Sequence, residues 1–154
     1  MTALPDKYFL VAGFAEGATE LNAFDNALMK AGIGNVNLIR VTSILPPAAQ
    51  HVPAIRLPLG ALVPTAYADE TSAVPGTQIS AAVACGVPDD PALPGVIMEH
   101  HMIGTEQECR DRVVRKLEEA LAQRNYRLTD VKIAAASGVV KKVGSAVAAV
   151  ILWA

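Results

Sequence analysis

Cysteine is nearly missing from this chain: 154 residues hold only Cys85 and Cys109, with no CxxC and no histidine pair nearby. That pattern excludes a disulfide framework or a zinc cluster and reads as two reduced, inert packing thiols. Long apolar runs are missing too. Hydrophobic residues reach 52% against 18% charged, yet Pro, Gly or a charge interrupts every run before the roughly 20 residues that span a bilayer. The sequence therefore predicts a soluble chain with no membrane partner. Met1 to Lys7 has no cationic segment leading into an apolar one, so no secretory signal is read there and the expected location is cytoplasmic. A concentrated basic face is also wanting. The net charge is -2, and Arg110, Arg112, Arg115 and Lys116 are interleaved with Asp111, Glu118 and Glu119, the pattern of a solvated helix face. Nucleic acid is excluded as a partner on that ground. GxGxxG, Walker, HExxH and GxSxG patterns are absent, which removes the common nucleotide, zinc and hydrolase motifs.

What is present fits one domain over residues 1–154, long enough to bury roughly two-thirds of its unfolded surface. Lys7 to Ala12 alternates and predicts a strand closed by Gly13 and Gly17. Leu21, Phe24, Leu28 and Ala31 recur at helical steps, predicting a helix over Asn22 to Ala31 whose other face carries Asp25, Asn26 and Lys30. Val36 to Ser43 reads as one strand running into Ile44 and Leu45, where Pro46 and Pro47 end it. A Pro-rich surface loop follows to Pro58. Strands are expected at Gly60 to Asp69, Gln78 to Val87 and Gly95 to Met102, separated by the Pro75-Gly76 turn and the Pro88-to-Pro94 loop. Thr105 and Glu108 form a capping-box pattern, and Cys109, Val113, Leu117 and Leu121 make the apolar stripe of a helix stopping near Asn125. Val131 to Ala136 and Ser145 to Trp153 complete about seven strands, the last apolar enough for a central, doubly covered place. Two helices among these strands predict an α+β, four-layer αββα-type sandwich.

Residue by residue, the chemistry reads plainly. Asp25 is a solvated helix acid, Ser43 a serine where a strand must break, and Asn37 a polar group on a strand edge. Glu99 is different, because a carboxylate directly after Val96-Ile97-Met98 needs either a partner or a function. His51, His100 and His101 have no Asp or Cys at ligand spacing and read as structural or surface residues, so no metal is expected. Tyr67 and Trp153 read as packing residues.

Five blocks carry a resemblance: Leu21-Asn-Ala-Phe-Asp-Asn-Ala-Leu28, Ala31-Gly-Ile-Gly-Asn-Val-Asn-Leu38, Val41-Thr-Ser-Ile-Leu-Pro-Pro47, Leu59-Gly-Ala-Leu-Val-Pro-Thr-Ala-Tyr67 and Leu93-Pro-Gly-Val-Ile-Met-Glu99. In order and in register, they resemble the pyruvoyl-dependent arginine decarboxylases from Lys7 to about Val147. The resemblance implies that the Thr42–Ser43 bond breaks itself, giving fragments 1–42 (beta) and 43–154 (alpha), with Ser43 becoming a covalent pyruvoyl group. Family members commonly carry Ser where Thr42 stands, but that residue contributes only its carbonyl. The resemblance further implies that arginine becomes agmatine and carbon dioxide without pyridoxal phosphate or metal. It makes Glu99 the proton donor and Asn37 a polar group near the reacting bond. Asp25 becomes the guanidinium partner, with the backbone carbonyls of Leu21, Gly34 and Val36 around it, and the assembly a homotrimer that shares its active site between neighbours. Two alternatives stand beside this: an unprocessed structural or regulatory subunit of the same fold, and a pyruvoyl decarboxylase of another amino acid. Asp25 weighs against an acidic side chain.

Overall fold

The computed structural model describes residues 3–154. Along the described chain run β1 (Lys7–Glu16), α1 (Glu20–Lys30), β2 (Asn37–Arg40), β3 (Ile44–Leu45), β4 (Gln50–His51) and β5 (Leu62–Ser72). After these come β6 (Gln78–Pro88), β7 (Gly95–Ile103), α2 (Glu106–Arg124), β8 (Leu128–Val139) and β9 (Gly144–Trp153). Neither helix is long and apolar enough to cross a membrane.

The strands form two sheets, one ordered β2-β5-β9-β1-β4 and the other β3-β7-β6-β8. Their packing follows from the two-residue period of a strand. Along β9, Ala146, Ala148 and Val150 point between the sheets and meet Ala66, Ala81 and Val83. The alternate residues Val147, Ala149 and Ile151 point outward and take Ala27 and Leu28 of α1. On the other sheet, Ala82, Ala84 and Val96 receive Cys109, Val113, Leu117 and Leu121 of α2. The result is helix, sheet, sheet, helix, the expected αββα layering, with β9 central and covered on both faces. Removing a side chain such as Leu117 from water contributes about 1.5–3 kcal/mol. Thr105 and Glu108 make the expected capping box, each accepting from the other's backbone N–H. Cys85 and Cys109 are free and buried, and burial pushes their thiols up to about 12 and about 11.

Three expectations need correcting. β1 does not stop at Gly13 but continues to Glu16. Gly13 lies under α1, where a Cβ would stand 2.8 Å from the Ala27 carbonyl oxygen and 2.9 Å from the Ala31 nitrogen. It is the seat of the helix, not a strand terminator. The segment Val36 to Ser43 is not one strand: β2 pairs in parallel with β5, while β3 pairs antiparallel with β7 in the opposite sheet. Residues 41–43 make the crossing. Finally, the Pro-rich loop contains β4, which lies parallel to the start of β1, so the described strands number nine.

Candidate active site

The crossing segment is held at both ends. Val41 N–H donates to the Thr65 carbonyl on β5 at 3.1 Å, and Ile97 N–H on β7 donates to the Ser43 carbonyl at 2.8 Å. The Thr42–Ser43 peptide is thus strung between the sheets, with Thr42 exposed and Ser43 half-buried. Among the described residues, the Thr42 carbonyl accepts no backbone hydrogen bond, which leaves it open to approach.

Alternation along β7 brings the acid to this place. Ile97 faces the opposite sheet and Met98 faces α2, so Glu99 returns to the inner side. A cavity of about 400 Å³ is lined by Thr42, Ser43, Ile97, Met98, Glu99 and Lys116. A second, of about 460 Å³, shares Glu99 and Lys116 and continues to Arg40, Tyr67, Asp69 and His101. Burial raises the proton affinity of Glu99 above that of an ordinary glutamate, and Arg40, Lys116 and His101 partly offset this.

The surrounding charges come from several elements. Arg40 Nη1 on β2 stands 3.8 Å from Glu99 Oε1, and Nη2 stands 3.7 Å from Asp69 Oδ1. The guanidinium carbon lies 4.0 Å over the centre of the Tyr67 ring. Lys116 Nζ, from α2, donates to the Glu99 backbone carbonyl at 3.0 Å. His101 Nδ1 stands 2.6 Å from Glu70 Oε2.

Thr42, Ser43 and Glu99 therefore meet at one cavity within a single chain. The remaining candidates lie elsewhere. Asn37 opens β2 and donates its amide to the Gly60 carbonyl at 3.0 Å, away from the residues lining the Ser43 cavity. Asp25 and Leu21 are exposed on α1. Gly34 and Val36 line a separate cavity of about 180 Å³ with Met29, Asn35 and Arg56. Sequence reading missed Arg40, Tyr67, Asp69 and Lys116 as neighbours of Glu99. Lys116 reads as part of a solvated helix face, and Tyr67 as packing. No spacing in the sequence joins β2, β5, β7 and α2 at this point, so only the need of Glu99 for a partner hinted at them.

Comparison with known proteins sets this chain among the decarboxylases that work through a pyruvoyl group. A family model described as pyruvoyl-dependent arginine decarboxylase matches residues 7–154. A pyruvoyl-dependent arginine decarboxylase of Methanocaldococcus jannaschii is 47% identical over 150 residues, covering 97% of this chain and 91% of the relative. Proteins of the same name from Methanococcus vannielii and Pyrococcus abyssi are each 40% identical, covering 97% of this chain and 91% and 96% of their own lengths. The chain belongs to the pyruvoyl-dependent arginine decarboxylase family.

Proposed function

We propose that this enzyme cuts its own chain between Thr42 and Ser43 and then decarboxylates L-arginine to agmatine. The observation that carries the reading is a serine on an exposed crossing between two sheets, in one cavity with a desolvated carboxyl group. In the cut, Ser43 Oγ attacks the Thr42 carbonyl and the peptide C–N bond gives way to an ester. Loss of the Ser43 α-proton then breaks the Cβ–Oγ bond and releases Thr42 as a carboxylate. One water converts the remaining enamine to a ketone and ammonia.

The residues around it fit such a group, because residue 43 carries the β-oxygen the elimination requires and its carbonyl is already fixed by Ile97. A pyruvoyl group at that position supplies a ketone that condenses with an amine and accepts the electron pair left as carbon dioxide departs. Glu99, kept protonated further toward neutral pH by burial, holds the proton that replaces the lost carboxylate. Asp25 accepts from the substrate guanidinium, a planar bidentate match that selects arginine, assisted by the carbonyls of Leu21, Gly34 and Val36. Asn37, which sits outside the Ser43 cavity of its own chain, would act as an amide beside a neighbouring protomer's reacting group. Soluble protein in the cytoplasm, as one domain over residues 1–154, completes the reading.

Asp25 and Leu21 are exposed on α1, and Gly34 and Val36 line a depression apart from the Ser43 cavity, which supports a trimer in which a neighbour's Asp25 face closes over that cavity. Sedimentation should give a trimer. A fully active monomer would contradict it. Asp25→Asn should raise KM for arginine by about 30-fold or more while leaving the cut intact, as expected when one member of a buried charge pair is neutralised. An unchanged KM would remove arginine as the assigned substrate. Coexpression of Asp25→Asn with Ser43→Ala chains should restore activity at about a quarter of the sites if each site draws on two neighbours. No recovery would place recognition and chemistry in one chain.

A further inference from the structure

We infer that Arg40 is a positioning residue for Glu99: stacked on the Tyr67 ring with Asp69 beside it, its guanidinium presents a positive charge to the carboxyl group. The inference rests on the reading of Glu99 as proton donor only for its effect on turnover.

A guanidinium is planar, always charged and able to stack on an aromatic face. Arg40 does so at 4.0 Å over Tyr67, and Asp69 lies 3.7 Å from one end of the plane. The stack on Tyr67 and the charge of Asp69 together bias where the guanidinium sits, with Nη1 3.8 Å from Glu99 Oε1. That separation is too long for a hydrogen bond. Arg40 therefore acts on Glu99 as a positive charge without occupying a carboxyl oxygen, and both oxygens remain available to carry or release a proton.

The cavity's other cations, Lys116 and His101, also lower the proton affinity of Glu99, but each has its hydrogen bond elsewhere. Lys116 commits a donor to the backbone carbonyl of Glu99, not to its carboxyl, and His101 turns its Nδ1 to Glu70. Asp69 and Glu70 on β5 are negative and push in the opposite direction to Arg40. Desolvation alone would favour the neutral acid, which holds its proton too tightly to give it up readily. A cation at that range lowers the proton affinity that desolvation raises, so the acid gives up its proton more readily than desolvation alone would allow. Arg40 is about half-exposed, so screening keeps its influence moderate and allows the acid to remain shifted upward overall.

The measurement is a pH titration of the Glu99 carboxyl in the full-length protein by infrared difference spectroscopy, with Glu99→Gln identifying the band. In Arg40→Gln the midpoint should move to higher pH and the carboxyl band should broaden. Arg40→Lys should restore the midpoint but not the narrow band, since it returns the charge without the planar stack. Turnover in Arg40→Gln should fall about tenfold with KM for arginine unchanged, because misorientation of a catalytic group affects kcat. The same substitution should have no further effect on kcat when placed on Glu99→Gln. An unmoved midpoint in Arg40→Gln overturns the inference. A moved midpoint with an unmoved alkaline limb of kcat leaves Arg40 in its role and removes Glu99 as the proton donor. The titration reads Glu99 whether or not the chain has been cut, so a defect in processing does not obscure it.

Discussion

Ser43→Ala should leave every chain intact and abolish decarboxylation, the largest effect expected of any single substitution. Alanine has neither the oxygen that attacks the Thr42 carbonyl nor the leaving group whose departure opens the way to a ketone. Mass spectrometry of denatured wild-type protein should show fragments 1–42 and 43–154, the second with a blocked terminus, whereas the variant shows one species of full length. The fold should persist, because Ser43 bonds to β7 through its backbone carbonyl and its side chain is only half-buried. Decarboxylation by a homogeneous Ser43→Ala preparation would remove pyruvoyl chemistry at this position. A wild-type chain that stays whole after long incubation would instead favour a structural subunit.

Glu99→Gln should be cut normally and then turn over arginine about 100-fold more slowly or worse, as expected for losing a general acid. The amide keeps the shape and loses the acidic proton. The pH dependence carries a sign. Burial raises the proton affinity of Glu99, so the protonated, active form persists above the ordinary glutamate range and activity falls as pH rises through the raised value. The variant should lose that alkaline limb. Pre-steady-state mixing separates the steps: carbon dioxide release should survive better than product formation. Equal turnover in cut Glu99→Gln would leave Glu99 as packing and assign protonation to another group.

Local signals in the sequence carried much of the architecture. The Thr105–Glu108 capping box and the Cys109, Val113, Leu117, Leu121 stripe are contained within one helix, so α2 could be placed before any tertiary contact was known. The uninterrupted apolar run into Trp153 likewise announced a covered central strand, since water-facing polar residues are missing from it. Where tertiary contact decides, the sequence misled. A glycine in a strand is an ordinary stop signal, and only the helix lying across Gly13 explains why the strand continues. The change of sheet between Arg40 and Ile44 leaves no mark, because two short strands in line have the same alternation as one long strand. Glu99 was conspicuous by its apolar neighbours. Arg40 was silent, since a basic residue on an alternating strand reads as solvent-facing until the ring beneath it and the acids beside it are known.

If the chain is cut after Thr42 as proposed, the order of the first sheet decides the fate of the two pieces. β1 pairs with β9 over ten residues, from Lys7 opposite Trp153 to Glu16 opposite Gly144. β2 joins the far edge of the same sheet on β5, and α1 lies across the face between them. The shorter piece therefore clasps two strands of the longer one, as a bracket grips a board from both sides. Letting go of one arm leaves the other engaged, and losing both exposes the apolar faces beneath α1. Newly made and long-finished copies in one cell should accordingly keep their original partners for life. Two alleles of such an enzyme would mix as whole protomers and never trade halves.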